Sequence, residues 1–221
     1  MRFLQNAPSH RYVLLPILGM SIFILLYILA ALNYPGGSWN DPASAHFNFW
    51  NNYLCDLLDE VAVNGEINTG RFYARAALGV LCVSLLYLWV HLPFLFSRRN
   101  WNTLLMWLSG ILAFTITMLL SSGTHDLTVR IAGAFGTIAL LSAFAEMRVA
   151  GYSGLMRFGW LCLFIFLGNY YIYETGSGIQ SLPVVQKVTF SSYIAWFVWL
   201  NITLFRHLKR QTKDKMTLEK G

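Results

Sequence analysis

Three residue types that support hydrolysis stand together in the segment SSGTHD, residues 121–126. Ser121, His125 and Asp126 supply a hydroxyl, an imidazole and a carboxylate, which serine hydrolases and metal-dependent hydrolases both use. A triad is recognised from geometry, so adjacency alone does not predict one. A ceramidase-like zinc site needs about three ligands, which His46, His125 and Asp126 could supply. This segment is the basis of one functional interpretation, which we call the enzymatic alternative: a membrane-embedded metal-dependent hydrolase.

Ionisable residues also gather near one end of the predicted helices. A charged group in hydrocarbon costs about 2.5 to 3.5 kcal/mol, so it should turn from lipid towards other charges or water. We expect an outward-facing polar chamber with three cations and their counter-ions. Its predicted ligand-binding residues are Asp56, Arg75, His125, Asp126, Arg130, Glu174 and Lys187.

Two interpretations of this cluster remain open. One is a structural network of ion pairs that ties helix ends together. The other is a site that binds or senses a lipid or small amphiphile, for which anionic head groups would suit the three cations. The second is our leading functional hypothesis, and it is not enzymatic. A small transporter is a further alternative, but the broken helices or repeats typical of one are not evident in the sequence.

The composition places this chemistry in a membrane. Charged residues make up 12% of the 221 residues, against about 25% in soluble chains, and mean hydropathy is +0.51. A net charge of +6 is compatible with a nucleic-acid partner, but basic residues are concentrated from Arg206 onward, as in a membrane protein's cytoplasmic tail. We therefore expect lipids as partners, no nucleic acid, no cofactor and no resident metal.

Apolar runs long enough to cross a bilayer of about 30 Å occur six times. The sequence predicts one all-helical transmembrane domain with both termini on the same side, followed by a basic tail at 207–221. The predicted spans are 12–34, 73–97, 103–123, 128–149, 157–174 and 186–206.

Orientation follows from the distribution of lysine and arginine. Twelve of the 16 basic residues fall on the side of the two termini. The remaining ones are Arg71, Arg75, Arg130 and Lys187. This pattern predicts cytoplasmic termini in a bacterial inner membrane.

The first outward loop, Pro35 to Gly70, is the longest connection. It opens with the turn sequence PGG, and apolar residues then recur at helical spacing while polar residues occupy the opposite side. The apolar set is Phe47, Trp50, Leu54, Leu57 or Leu58, and Val61; the polar set is Asn48, Asn51, Asn52, Asp56, Asp59 and Glu60. The loop is therefore predicted to form an amphipathic helix that caps the bundle.

Small residues form a stripe on the fourth predicted helix, at Ala132, Gly136, Ala139 and Ala143. Such a stripe allows close helix approach. It favours packing within the bundle, with a homo-oligomer through this face as the alternative.

Four segments together resemble the bacterial six-helix membrane proteins of domain-of-unknown-function family 998, which are distantly similar to DRAM-type membrane proteins. They are YPGGS, NNYLCDLL, NGEINTGR and GTHDLTVRIAGAFGTIAL. The family's Ser-x-x-Asp-Leu pattern is matched by Asp56 and Leu57, but Tyr53 replaces the serine. A further histidine expected after the HD segment is replaced by Val129 or Arg130. The resemblance implies six spans and leaves the activity open.

Overall fold

The computed structural model describes residues 9–97, 99–119 and 125–218, and within them the side chains of all but 125, 126 and 215–218. The described chain is helical and contains no β-strand, only a bridge between Val61 and Ile67. Its α-helices are α1 (Leu15–Leu32), α2 (Arg71–His91), α3 (Trp101–Thr117), α4 (His125–Val149), α5 (Ser153–Thr175) and α6 (Leu182–Leu218). The all-helical prediction is confirmed.

Local sequence accounts for several helix ends. Pro16 occupies the first turn of α1, where its missing N–H costs nothing. The Asn100 side chain accepts from the Thr103 N–H at 2.8 Å and caps α3. Gly176, in the left-handed conformation, ends α5. Turn chemistry therefore fixes where the apolar helices begin and end.

Five of the helical segments are long and apolar enough to cross a membrane, and α3 is a shorter apolar helix of 17 residues. Helices that follow one another along the chain pack together, and α6 also contacts α1. The bundle is closed by this last contact. A multi-pass membrane protein follows from this arrangement.

Aromatic residues fill the bundle centre. Trp89 of α2, Phe114 of α3 and Phe144 of α4 meet Trp196 and Phe197 of α6 in edge-to-face or tilted contacts. Apolar packing of this kind positions α6 among the other helices.

Small residues admit these rings. A Cβ on Gly110 of α3 would overlap the indole of Trp89, whose Nε1 donates to the Met106 carbonyl at 2.9 Å. On α4, Ala139 and Ala143 are buried in the core, and a Cβ on Gly136 would lie 3.9 Å from Ala113. These stripe residues pack inside the chain, and the homo-oligomer stays a prediction.

The bundle has two distinct ends. At one, which we call the termini end, His10 contacts Phe205 and Asn201 donates to the Val13 carbonyl at 2.8 Å. The other, the loop end, carries the first loop (35–70). Helix α6 has 37 residues and is roughly 55 Å long, so it continues past the termini end and includes 207–218 of the predicted tail.

The amphipathic helix predicted in the first loop is wrong. The structure has turns and one short 3-10 segment, Cys55–Leu58. Asn48 Oδ1 accepts from the backbone N–H groups of Trp50 and Asn51, and asparagine side chains that bind local backbone in this way favour turns over helices. The predicted polar face is also partly reversed, because Asn52 and Asp56 are buried while Trp50 is exposed.

Candidate functional site

The first loop is organised around the buried amide of Asn52. Its Nδ2 donates to the Gly37 carbonyl at 2.7 Å and to Asp56 Oδ2 at 3.0 Å. Its Oδ1 accepts from the Asn48 N–H at 2.8 Å. One side chain thus joins the PGG turn, the middle of the loop and the 3-10 segment.

The turn beneath this amide requires glycine. Gly37 has a φ of +80°, and a Cβ there would collide with the backbone of Asn64. Its N–H donates to the Ser44 carbonyl at 2.8 Å. The PGG sequence therefore marks a point where two segments of the loop backbone pass close to each other.

Asp56 is the buried carboxyl of the site. Burial raises its pKa above the ordinary value, the hydrogen bonds from Asn52 and the Tyr53 N–H lower it, Asp59 raises it and Lys187 lowers it. The desolvation is the largest effect. Asp56 therefore holds its proton more tightly than an exposed aspartate, yet stays coupled to a cation on α6.

Two consecutive side chains of α6 form hydrogen bonds with the loop. The Lys187 ammonium donates to the Asn52 carbonyl at 2.6 Å and the Pro183 carbonyl at 2.9 Å. Gln186 Oε1 accepts from the Leu54 N–H at 2.7 Å, and its amide donates to Cys55 Sγ at 3.4 Å. Burial raises the pKa of the Cys55 thiol to about 11, so this thiol remains protonated and unreactive at neutral pH.

Two phenylalanines complete the surroundings of Lys187. Its Nζ lies 5.1 Å from the ring centre of Phe49 and 5.9 Å from that of Phe47. Backbone carbonyls and aromatic faces together stabilise a buried ammonium. Lys187 therefore links α6 to the loop.

The end of the loop and the start of α2 hold the other edge of the 3-10 segment. Asn68, fully buried, donates to the carbonyls of Asp56, Leu57 and Asp59 at 3.3, 3.2 and 3.0 Å. Arg75 Nε donates to the Leu58 carbonyl at 3.1 Å. The 3-10 segment is thus fixed from both sides.

A cavity of about 280 Å³ lies beside this segment. It is lined by Tyr34, Trp39, Asp56, Asp59 and residues 61–63. Its volume is close to the lower limit for small-molecule sites, which suits a head group better than a whole lipid. Its lining includes two carboxyl groups and two aromatic rings, both of which attract cations.

The three predicted cations do not line this cavity. Lys187 donates to one loop carbonyl and to one carbonyl of its own helix, and the exposed Arg75 lies 4.0 Å from Glu60. Arg130 forms a separate, exposed ion pair with Glu174 at 3.0 Å, between α4 and α5. The structure therefore unites Asp56 and Lys187 beneath the loop, and gives Arg75 and Arg130 different partners.

Most residues of the enzymatic alternative lie outside what the structure describes: Ser121 entirely, and His125 and Asp126 in their side chains, whereas His46 is described and exposed. Among the described residues, no group of three or more histidine, cysteine or acidic side chains could hold a metal ion. The hydrolase hypothesis stays an untested prediction.

Sequence reasoning missed several residues of the site. The predicted amphipathic helix puts Asn52 on its polar side, and the sequence pattern does not indicate Gln186, Asn68 or Trp39. A signal was available for Asn52, because asparagine side chains favour bonds to nearby backbone, as Asn52 makes with the Asn48 N–H. Gln186 and Trp39 carry no comparable signal.

No family model, curated protein or solved structure matches this chain.

Proposed function

We propose that the protein binds an amphiphile in the cavity at its loop end, and that the head group of this amphiphile carries an ammonium ion. The observation that carries the proposal is the lining, in which Asp56 and Asp59 accompany Tyr34 and Trp39. An ammonium is attracted both by carboxylates and by the faces of aromatic rings. This replaces the anionic head group expected from the sequence, because the cations that would bind it have other partners.

Exposed aromatic residues beside the cavity support an amphiphilic ligand. Trp39 is 72% exposed, and Phe49 and Trp50 of the same loop are also exposed. Tryptophan concentrates at membrane interfaces, where its ring meets both lipid and water. A lipid could keep its acyl chains in the bilayer while its head group enters the cavity.

The distribution of basic residues supports an orientation as well. Exposed Arg148, Arg157, Arg206 and Lys209 lie towards the termini end, and cytoplasmic loops carry an excess of lysine and arginine. In the proposed orientation the termini face the cytoplasm and the cavity faces outward. We expect a cysteine placed near Gly65, at the exposed Glu66, to react with an impermeant maleimide from outside, and one at Lys213 to react only after permeabilisation.

Native mass spectrometry of the full-length protein tests the binding. Phosphatidylethanolamine carries an ammonium, and phosphatidylglycerol with the same acyl chains does not. We expect Trp39→Ala to lower phosphatidylethanolamine retention about fivefold, equivalent to roughly 1 kcal/mol of cation–π attraction, and Asp59→Asn to lower it as well.

Trp50→Ala is the matched control, because Trp50 is an exposed loop tryptophan outside the cavity lining. It should retain phosphatidylethanolamine like the unmodified protein. Equal losses from Trp39→Ala and Trp50→Ala, or a loss of phosphatidylglycerol from Trp39→Ala as large as its loss of phosphatidylethanolamine, would overturn the proposed ligand.

A further inference from the structure

The part of α6 beyond the bundle presents its basic residues on one face. Arg206, Lys209, Arg210 and Lys213 are exposed and follow the spacing i, i+3, i+4, i+7. At about 100° per residue these positions fall within an arc of roughly 100°. We call the first three of them, Arg206, Lys209 and Arg210, the basic face.

This face points away from the protein. Leu204 and Leu208, which are buried in the core, occupy the opposite side of α6. Lys209 lies 5.9 Å from the ring centre of Phe205 on its own helix. In a membrane, the surroundings of such an outward face are lipid and water.

Further into the bundle the same face carries no charge and is mostly apolar, with Ser191 and Ser192 among Val188, Ala195 and Trp199. Val188 lies five helical turns before Arg206 on this side and is half exposed, and Trp199, seven residues before Arg206, is 44% exposed. An apolar strip thus leads to a tryptophan and then to clustered cations. This order matches the acyl chains, interface and phosphate of a phospholipid, and a soluble acidic protein would leave the apolar part unused.

The position of the basic face along α6 also matches the depth of lipid phosphates in a bilayer. Arg206 lies roughly 10 Å along the helix from Trp199, a residue type that prefers the interface. Long basic side chains bend back towards that interface. Opposing charge is sparse: Glu146 is buried and accepts from Asn102 at 2.8 Å, and Asp214 is the exposed acid on the described part of this extension.

From these observations we infer that the basic face is a binding site for anionic phospholipid head groups in the leaflet at the termini end. It is separate from the cavity at the loop end and does not depend on the function proposed for that cavity.

The test compares phosphatidylglycerol with phosphatidylcholine in native mass spectrometry of the full-length protein. We expect Arg206→Gln/Lys209→Gln/Arg210→Gln to lower phosphatidylglycerol retention at least about tenfold, since each basic residue near an anionic surface contributes roughly 1 kcal/mol. Phosphatidylcholine retention should not change. The charge-preserving Arg206→Lys/Arg210→Lys should keep phosphatidylglycerol bound, which separates loss of charge from loss of folding.

The matched control removes the same charge elsewhere at this end, as Arg11→Gln/Arg148→Gln/Arg157→Gln. It should lower phosphatidylglycerol retention far less than the basic-face variant. Equal losses in both variants would show a diffuse charge effect and overturn the site. Displacement of the lipid by inorganic phosphate at equal concentration would assign the face to free anions, and a preference for an acidic soluble protein over phosphatidylglycerol would also overturn it.

Discussion

The two ends of the molecule are stabilised by different chemistry. At the loop end, buried polar side chains carry the structure: Asn52, Asn68 and Lys187 bind backbone carbonyls of the first loop. Towards the termini end, interlocking apolar and aromatic residues such as Trp89 and Leu204 fill the core, and the basic side chains face outward. A hydrogen-bonded loop can be rigid without regular structure, because its polar groups have specific partners.

This difference predicts that the loop end is the more sensitive to loss of a single polar group. The largest effect is expected for Asn52→Ala, which takes this partner from the Gly37 carbonyl and the Asn48 N–H and leaves Asp56 Oδ2 with the Tyr53 N–H. Each buried group left unsatisfied costs about 1 to 3 kcal/mol, so we expect a loss of roughly 3 kcal/mol in the stability of the loop. Hydrogen exchange across residues 35–70 measures it.

Asn51→Ala is the control for that variant. Asn51 is only half buried, and its backbone N–H donates to the Asn48 carbonyl and side chain. Since alanine retains this N–H, exchange in the loop should change little. Similar exchange in the two variants would contradict the central position given to Asn52.

The same substitution, lysine to methionine, made once at each end compares the two ends directly. Lys187→Met removes the ammonium between the Asn52 and Pro183 carbonyls and should destabilise the loop by about 2 kcal/mol. Lys209→Met removes an exposed ammonium at the other end and should leave thermal stability nearly unchanged. Thermal unfolding in detergent measures both, and equal shifts would remove the distinction between the ends.

Adding a methyl group at a helical glycine tests how tightly the apolar core is packed. Gly110→Ala would place a methyl group against the Trp89 indole, so we expect a loss of about 1 to 2 kcal/mol. Gly168→Ala, on α5, meets open space and should preserve or raise stability, because alanine favours helix over glycine. Unchanged unfolding of Gly110→Ala would argue against the tight contact between α2 and α3.

The smallest predicted effect is a pH dependence of the loop. Because burial raises the pKa of Asp56, the folded loop binds this proton more tightly than the unfolded loop. The resulting stabilisation is present at low pH and is lost as pH rises from the ordinary aspartate range through the raised pKa. Loop protection, corrected for intrinsic exchange rates, should fall across this interval.

Two variants isolate the source of that dependence. Asp56→Asn cannot titrate, so its protection should vary less with pH across the interval. Glu66→Gln removes an exposed acid of the same loop and should keep the dependence. If Asp56→Asn retains the full dependence, another group is responsible.

The contrast between the ends also explains what the sequence could predict. The six helices follow from apolar length alone, since hydrocarbon excludes unpaired backbone groups. The helical extension of α6 was also readable, because neither glycine nor proline occurs between Val184 and Lys220. Helical periodicity failed in the first loop because polar side chains such as Asn48 compete for backbone partners.

The sequence also predicts part of the site, because ionisable residues are conspicuous in an apolar chain. Asp56 and Lys187 stood out as ionisable residues in an apolar chain, and both are buried beneath the loop. Their surroundings depend on contacts between distant positions, such as the bond from Leu54 to Gln186, which no local pattern encodes. The ionisable residues that line the cavity are Asp56 and Asp59, although the sequence predicted a polar chamber with three cations and their counter-ions.

Hydrogen exchange at the backbone amide of Leu54 tests the central claim most directly, because that amide bonds to the Gln186 side chain across the gap between the loop and α6. If the loop is a rigid cap held by α6, the Leu54 amide exchanges much more slowly than an unstructured peptide, and Gln186→Ala removes most of that protection. Exchange of Leu54 at the peptide rate in the unmodified protein would show that α6 does not hold the loop.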